Sequence, residues 1–93
     1  MSRELRLRKP AQADIANAAG WYEARGKGLG AEFLRAVEAC LSSIRRSPES
    51  HPHVHPRIRR ALLRRFPYAV FYVLSGQHIQ VIACLHVRRQ PGV

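Results

Sequence analysis

The hydrophobic pattern of this chain changes its period once, and that change constrains the fold more than any other feature. Up to Arg46 apolar residues recur at spacings of three and four, which is typical of amphipathic helices. From Ile58 onward the period changes to two within hydrophobic runs, which is typical of strands. Three prolines lie in the segment 47–56 between these halves and remove backbone donors, so this segment is predicted to be a loop.

Two helices are predicted in the first half, after a short strand over residues 4–8 in which charged and apolar residues alternate. The first helix begins at Pro10, which suits a first helical turn, and ends near Arg25. The second helix follows the glycine-rich segment GKGLG and ends before Pro48. Because the connection is so short, we expect an antiparallel helix hairpin.

Three strands are predicted in the second half, over residues 58–66, 68–74 and 78–87, and their short connections indicate an antiparallel meander. On the last strand, one face should pack on the helices and the other should be partly open. The first set is Ile79, Val81, Ala83, Leu85 and Val87, and the second is Gln80, Ile82, Cys84, His86 and Arg88.

These elements predict one α+β domain over residues 1–93, with two layers and the order β-α-α-β-β-β. The helix hairpin would pack on one face of a mainly antiparallel sheet. The other face would then be available for binding.

Positive charge is concentrated in the second half of the chain. The 16 Lys and Arg exceed the 6 Asp and Glu by a net charge of +10, and every acid lies at or before Glu49. Charge of one sign raises the local potential and attracts polyanions or acidic protein segments. The sequence therefore predicts an anionic partner.

Several classes of protein are disfavoured by the sequence. No apolar run approaches the roughly 20 residues that span a bilayer, and the first residues lack a signal-peptide pattern, so we expect a cytoplasmic protein without a membrane partner. Cys40 and Cys84 fit buried thiols better than a disulfide. His51, His53 and His55 alternate in one segment, but no nearby Cys or acid completes a tetrahedral shell, so we predict no metal or cofactor.

Arginines and aromatic residues are the candidate binding residues. Guanidinium forks match phosphate and carboxylate geometry, and neighbouring aromatic rings could stack on bases. Trp21 and Tyr22 are adjacent on a helix and cannot both face one core, so Trp21 is either an exposed partner anchor or an edge-of-core residue. The candidate set for partner binding is Trp21, Tyr22, Arg59, Arg60, Arg64, Arg65, His86, Arg88 and Arg89.

A phosphodiester-cleaving site is an alternative use of some of these residues. Such a site needs a base, an acid for the leaving oxygen and cations for the developing charge. These groups could come from Arg65, Tyr72, His86 and Arg88. A single strand histidine is more often a structural hydrogen-bonding residue, so the sequence leaves the enzymatic reading open.

The order of the elements and three motifs together resemble the RelE/ParE toxin superfamily over nearly the whole chain. The motifs are WYE followed by GLGAEF, then FPYAVFY, then IACLHVRRQP. They are similar to a ParE-like branch often described as plasmid-stabilisation proteins. The resemblance implies a growth-inhibiting toxin of a type II toxin–antitoxin system, held inactive by an antitoxin whose acidic C-terminal segment wraps it and folds on binding.

Two activities occur in this superfamily, because RelE-like members cleave mRNA on the ribosome whereas ParE-like members poison DNA gyrase without being nucleases. Nuclease members often carry an arginine in a motif like YRVxY, where this chain has Ala69. A terminal tyrosine or second base is also common, and RRQPGV contains neither. The resemblance thus favours gyrase inhibition, with a metal-independent endoribonuclease and a non-enzymatic nucleic-acid-binding module as alternatives.

Overall fold

A computed structural model describes residues 3–88, which form a helix hairpin packed on a sheet. The elements are β1 (Glu4–Leu7), α1 (Lys9–Arg25), α2 (Leu29–Arg46), β2 (His53–His55), β3 (Ile58–Leu62), β4 (Tyr68–Ser75) and β5 (His78–His86). The sheet has the order β1-β5-β4-β3-β2, in which β1 runs parallel to β5 and the other neighbours are antiparallel. The predicted two-layer α+β fold is confirmed. Neither helix in this part of the chain has the length and apolar character that crossing a membrane requires.

The Glu23 carboxylate links the two helices where the chain turns. Glu23 of α1 accepts hydrogen bonds from the backbone N–H groups of Gly28, at 3.1 Å, and Gly30, at 2.9 Å. These donors lie at the positive N-terminal end of α2. Gly28 is the N-cap residue and has no side chain that could accept a hydrogen bond, so the Glu23 carboxylate caps the helix instead. A Cβ on Gly30 would lie 2.9 Å from the carbonyl oxygen of Ala19, which shows how closely the helices approach.

The main core fills the space between the hairpin and the sheet face that we call the helix-covered face. Its largest fully buried members are Phe33 and Ile44 from α2 and Tyr72 and Ile79 from the sheet. The two cysteines are free and buried, as predicted. Burial raises the pKa of the Cys40 thiol to about 11 and that of Cys84 to about 12, so both are small core side chains rather than reactive thiols.

A β-bulge in β5 shifts its register against β4. Phe71 pairs with Ala83, but the next residue, Tyr72, pairs with Val81, which leaves Ile82 as an extra residue. Because side chains alternate with a period of two, one extra residue moves all later side chains of the strand to the opposite face.

The bulge makes our prediction for the second half of β5 wrong. Ala83 and Leu85 lie on the other side of the sheet, the far face, whereas Cys84 belongs to the main core and His86 pairs with Tyr68 on the helix-covered face. The backbone N–H of Cys84 donates to Asp14 Oδ2 of α1 at 3.0 Å. The helix thereby satisfies a donor of β5 next to the bulge.

The proline-rich segment also differs from its prediction as a loop. It contains β2, a three-residue edge strand between Pro52 and Pro56, which pairs with β3. Prolines are tolerated at the ends of an edge strand, so they bound this strand instead of preventing it. The strand predicted over 58–66 ends at Leu62, because the following turn is closed by a hydrogen bond from Leu63 N–H to Tyr68 O. Within residues 3–88, no group of three His, Cys, Asp or Glu side chains is arranged to hold a metal ion.

The close approach at Gly30 gives a first prediction. Gly30→Ala should lower the free energy of unfolding by about 1–2 kcal/mol, because overpacking against the Ala19 carbonyl outweighs the gain in helix propensity. Gly20→Ala is the matched control, since nothing lies within 4 Å of its added Cβ and the same gain should stabilise the protein by up to about 1 kcal/mol. Urea unfolding measures both, and equal stabilisation by the two substitutions would contradict the close approach.

Candidate functional site

A cleft opens where the C-terminal part of α1 meets the end of β5. Its volume is about 380 Å³, and it is lined by Trp21, Tyr22, Pro67, Tyr68, His86 and Arg88. The cleft unites four of the predicted binding residues from distant parts of the sequence. It is the place where the three motifs of the resemblance come together.

Tyr22 is the centre of the ring cluster behind this cleft. Its ring centroid lies 5.4 Å from Phe33 in a stacked arrangement, and 4.9 Å from Phe66 and 5.0 Å from Trp21 in edge-to-face arrangements. Burial, with a smaller effect of Tyr68, raises the pKa of the Tyr22 phenol. Such ring pairs stabilise beyond their buried area, so the cleft has a rigid aromatic wall.

Trp21 is the exposed member of this cluster. Half of its surface, 50%, is accessible, and the Arg25 guanidinium carbon lies 3.5 Å from its ring centroid. Arg25 also donates to the Trp21 carbonyl oxygen at 3.3 Å. Of the two alternatives from the sequence, the structure has the exposed one, with Tyr22 turned inward and the indole held in place by a cation–π contact.

His86 lies against Tyr68, with ring centroids 5.5 Å apart. Its Nδ1 accepts a hydrogen bond from the backbone N–H of Arg88 at 3.3 Å. The neutral imidazole therefore carries its proton on Nε2. In this arrangement Nε2 carries a hydrogen that it can donate, and the lone pair of Nδ1 is already engaged by Arg88.

Tyr72 is remote from His86, although both were considered for phosphodiester cleavage. Its hydroxyl donates to the carbonyl oxygen of Pro48 at 2.6 Å, and burial raises its pKa to about 12. Tyr68, the partner of His86, lies four residues away on the same strand, which corresponds to about 13 Å. The Tyr72 phenol is therefore a neutral core group that is hydrogen-bonded to a loop carbonyl.

Arg59 and Arg60 occupy opposite faces of β3. Arg59 donates to the carbonyl oxygens of Glu49, at 2.9 Å, and His51, at 2.8 Å, so it ties the proline-rich segment to the sheet. Arg60 pairs with Phe71 on the far face, and its buried Nε has no hydrogen-bond partner among residues 3–88. Arg59 is therefore a structural residue, whereas Arg60 borders an open surface.

The remaining arginines of the predicted binding set lie away from Arg59 and Arg60. Arg64 and Arg65 lie in the loop between β3 and β4, where Arg65 Nη2 is 3.9 Å from Glu32 Oε1 of α2. Arg88 lines the cleft beside Trp21. Arg89 lies outside the described residues.

The far face carries an apolar patch that no described helix covers. Ala69, Phe71 and Ala83 are buried in it, and Leu62, which pairs with Ala69, lies at its edge and is 59% exposed. The partly buried side chains around them are Val54, Ile58, Ile82 and Leu85. Ile58 and Leu62 of β3 could have indicated this patch, since residues four apart on a strand share a face, but the bulge hid the contribution of β5.

The hairpin on a five-strand sheet, with the motif residues gathered at one end, is the architecture expected for a RelE/ParE-type protein. The chain belongs to the ParE toxin family of parDE type II toxin–antitoxin systems, whose sequence model matches residues 5–91. Among solved structures it is similar to one described as a chromosomal ParDE TA system from P. aeruginosa, with a TM-score of 0.68, 19% identity, and coverage of 90% of this chain and 95% of that chain. At this identity the likeness concerns the fold. No curated protein matches.

The contact at His86 gives a second prediction. Long-range ¹H–¹⁵N spectra at a pH where the ring is neutral should show the Nε2–H tautomer for His86, because Nδ1 accepts from Arg88. His53, which is exposed on β2, provides the comparison ring in the same spectrum. An Nδ1–H tautomer at His86 would show that the described contact is absent in solution.

Proposed function

We propose that this protein is the toxin of a parDE-type pair that acts in the cytoplasm by binding DNA gyrase and is neutralised by a cognate antitoxin. Family membership supports the toxin role. The observation that carries the mode of action is the separation of Tyr72 and Arg65 from the pair His86 and Arg88. A site for phosphoryl transfer needs its acid, base and cations around one phosphate, whereas a gyrase poison needs a binding surface.

The cleft beside Trp21 is the proposed contact with the target. It combines a rigid, half-exposed indole with a guanidinium from Arg88 and the Nε2 donor of His86. Trp, Tyr and Arg are the residues that most often dominate the binding energy of protein interfaces. An aromatic anchor with two polar neighbours suits a protein partner with an exposed carboxylate or carbonyl.

A ribosome-dependent endoribonuclease is the second candidate. Tyr68, His86 and Arg88 line one cleft, and a phenol, an imidazole and a guanidinium are groups that RNA cleavage can use. This candidate requires Nδ1 of His86 to release its backbone donor before the ring can accept a proton there.

Trp21→Ala should weaken inhibition of gyrase by about 30-fold, since loss of an interface anchor costs about 2 kcal/mol. Leu34→Ala is the control, because Leu34 is similarly exposed, at 45%, but does not line the cleft. The assay is supercoiling of relaxed plasmid by purified gyrase, together with growth arrest on induction.

Parallel reactions with translating ribosomes and reporter mRNA separate the two candidates. Cleavage of the mRNA at codons, with supercoiling unaffected, would replace gyrase inhibition by the ribonuclease activity. Equal effects of Trp21→Ala and Leu34→Ala would remove the cleft from the proposal. Thermal melting of both variants excludes loss of folding as the cause.

The far face is the proposed docking surface for the antitoxin. Its apolar patch is bordered by Arg60, and no acid follows Glu49 in the sequence, so an amphipathic segment with acidic flanks matches it in both polarity and charge. Such a segment would cover the far face of the sheet, opposite the helix hairpin. The free energy of ordering it would be offset by apolar burial and ion pairs.

Leu62→Glu should therefore weaken binding of the antitoxin's C-terminal segment by about tenfold or more, while growth arrest by the toxin alone persists. The fold should tolerate this change, because the Leu62 side chain is largely exposed. Leu34→Glu adds the same charge on the helix layer and should leave antitoxin affinity unchanged. Isothermal titration calorimetry measures both, and equal affinities for the two variants would place the antitoxin elsewhere.

A further inference from the structure

A second basic surface runs along α2, and we call it the α2 groove. Two adjoining cavities of about 390 and 420 Å³ lie between α2 and the β3–β4 loop, and both are lined by Ala36 and Arg64. The groove shares no lining residue with the cleft at Trp21. Four arginines line it, together with Glu32, Phe66 and small side chains of α2, and the arginines are Arg35, Arg46, Arg64 and Arg65.

The charge of the groove is largely uncompensated. Among residues 3–88, Arg35, Arg46 and Arg64 form no ion pair. Arg65 is 3.9 Å from Glu32, but both side chains are well exposed, so this contact contributes little. Four guanidinium groups that face one channel with a single carboxylate create a positive potential that an extended anion would relieve.

The backbone of the β3–β4 loop holds Arg65 in a conformation that does not favour folding. Arg65 has φ 72°, the left-handed region that is costly for residues with a Cβ and easy for glycine. Leu63 and Phe66 turn inward from this loop, while Arg64 and Arg65 are exposed. A strained position that presents a guanidinium to the groove is typical of a functional contact.

The lining of the groove favours the backbone of a duplex over other anions. The large exposed hydrophobic residues of the described chain are Trp21, Leu34, Leu62 and Val87, and none of them lines the groove. Phe66 does line it, but its ring packs edge-to-face against Tyr22 and Phe33, so it does not present a free face on which a base could stack. Unpaired bases need aromatic platforms and amphipathic peptides need apolar anchors, whereas duplex phosphates need only spaced cations.

The spacing of the helical arginines is compatible with such a backbone. Arg35 and Arg46 are three helical turns apart on the same side of α2, a separation of about 16 Å, which corresponds to about five base steps of B-DNA. The small side chains between them leave room for a close approach. Arg64 contacts the same channel from the opposite wall.

We infer that this protein binds the phosphate backbone of duplex DNA through the α2 groove, without sequence preference. This property is separate from recognition of gyrase by the cleft and from docking of an antitoxin on the far face. The test uses the full chain alone and a short fluorescein-labelled duplex, with fluorescence anisotropy measured over a series of salt concentrations.

The double variant Arg46→Gln with Arg64→Gln should weaken binding by about tenfold or more at low salt, and should reduce the slope of log K against log salt by about 2, since each phosphate contact contributes about 0.9. The control is Arg45→Gln with Arg57→Gln, which has the same net charge but alters exposed arginines outside the groove. It should change the affinity by less than about threefold. Equal losses in the two double variants would overturn the inference, because binding would then follow net charge alone.

A third variant separates binding from folding. Arg65→Gly should leave the urea midpoint unchanged or raised, since it relieves the left-handed residue, yet it should weaken duplex binding. Unchanged DNA affinity in this variant and in the Arg46 and Arg64 double variant would refute the groove. Tighter binding of the separated single strand, or displacement of duplex by a polyglutamate peptide at equal charge concentration, with the same dependence on Arg46 and Arg64, would also overturn the assignment to duplex DNA.

Discussion

The close approach of α1 to α2 at Gly30 is the constraint on which the rest of the structure depends. Because the helices approach until the Ala19 carbonyl leaves no room for a Cβ, the carboxylate of Glu23 can reach the first amides of α2. The same register places Tyr22 against Phe33. The ring cluster and the exposed position of Trp21 depend on this packing, while residues at the ends of β4 and β5 supply the opposite wall of the cleft.

Most of the fold could be predicted from the sequence, because the change from helical to alternating periodicity is a property of many residues together. The bulge could not, since a single extra residue at Ile82 changes the register without altering the composition of the strand. Ala83 and Cys84 are both small and apolar, so the residue type does not indicate which face of the sheet either one occupies. The strand β2 was missed for a different reason, because its flanking prolines carry the same signal as a loop.

The candidate sites could be predicted only in kind. The sequence indicates many arginines and an anionic partner, but it does not sort the arginines among surfaces. Arg59 donates to the carbonyl oxygen of Glu49, 10 residues away in sequence. The Tyr72 hydroxyl donates to that of Pro48, 24 residues away. The α2 groove draws Arg35 and Arg46 from the half of the chain whose charge is nearly balanced, so charge counting by segment overlooks them.

The hydrogen bond from Cys84 to Asp14 also bears on self-association. Beyond Val81 the outer edge of β5 has no strand neighbour among the described residues, because β1 ends its pairing there. A strand from another chain that added to this edge would need the Cys84 N–H, and Asp14 already occupies that donor. Helix α1 therefore covers one face of the sheet and also obstructs its exposed edge, which limits recruitment of further copies by strand pairing.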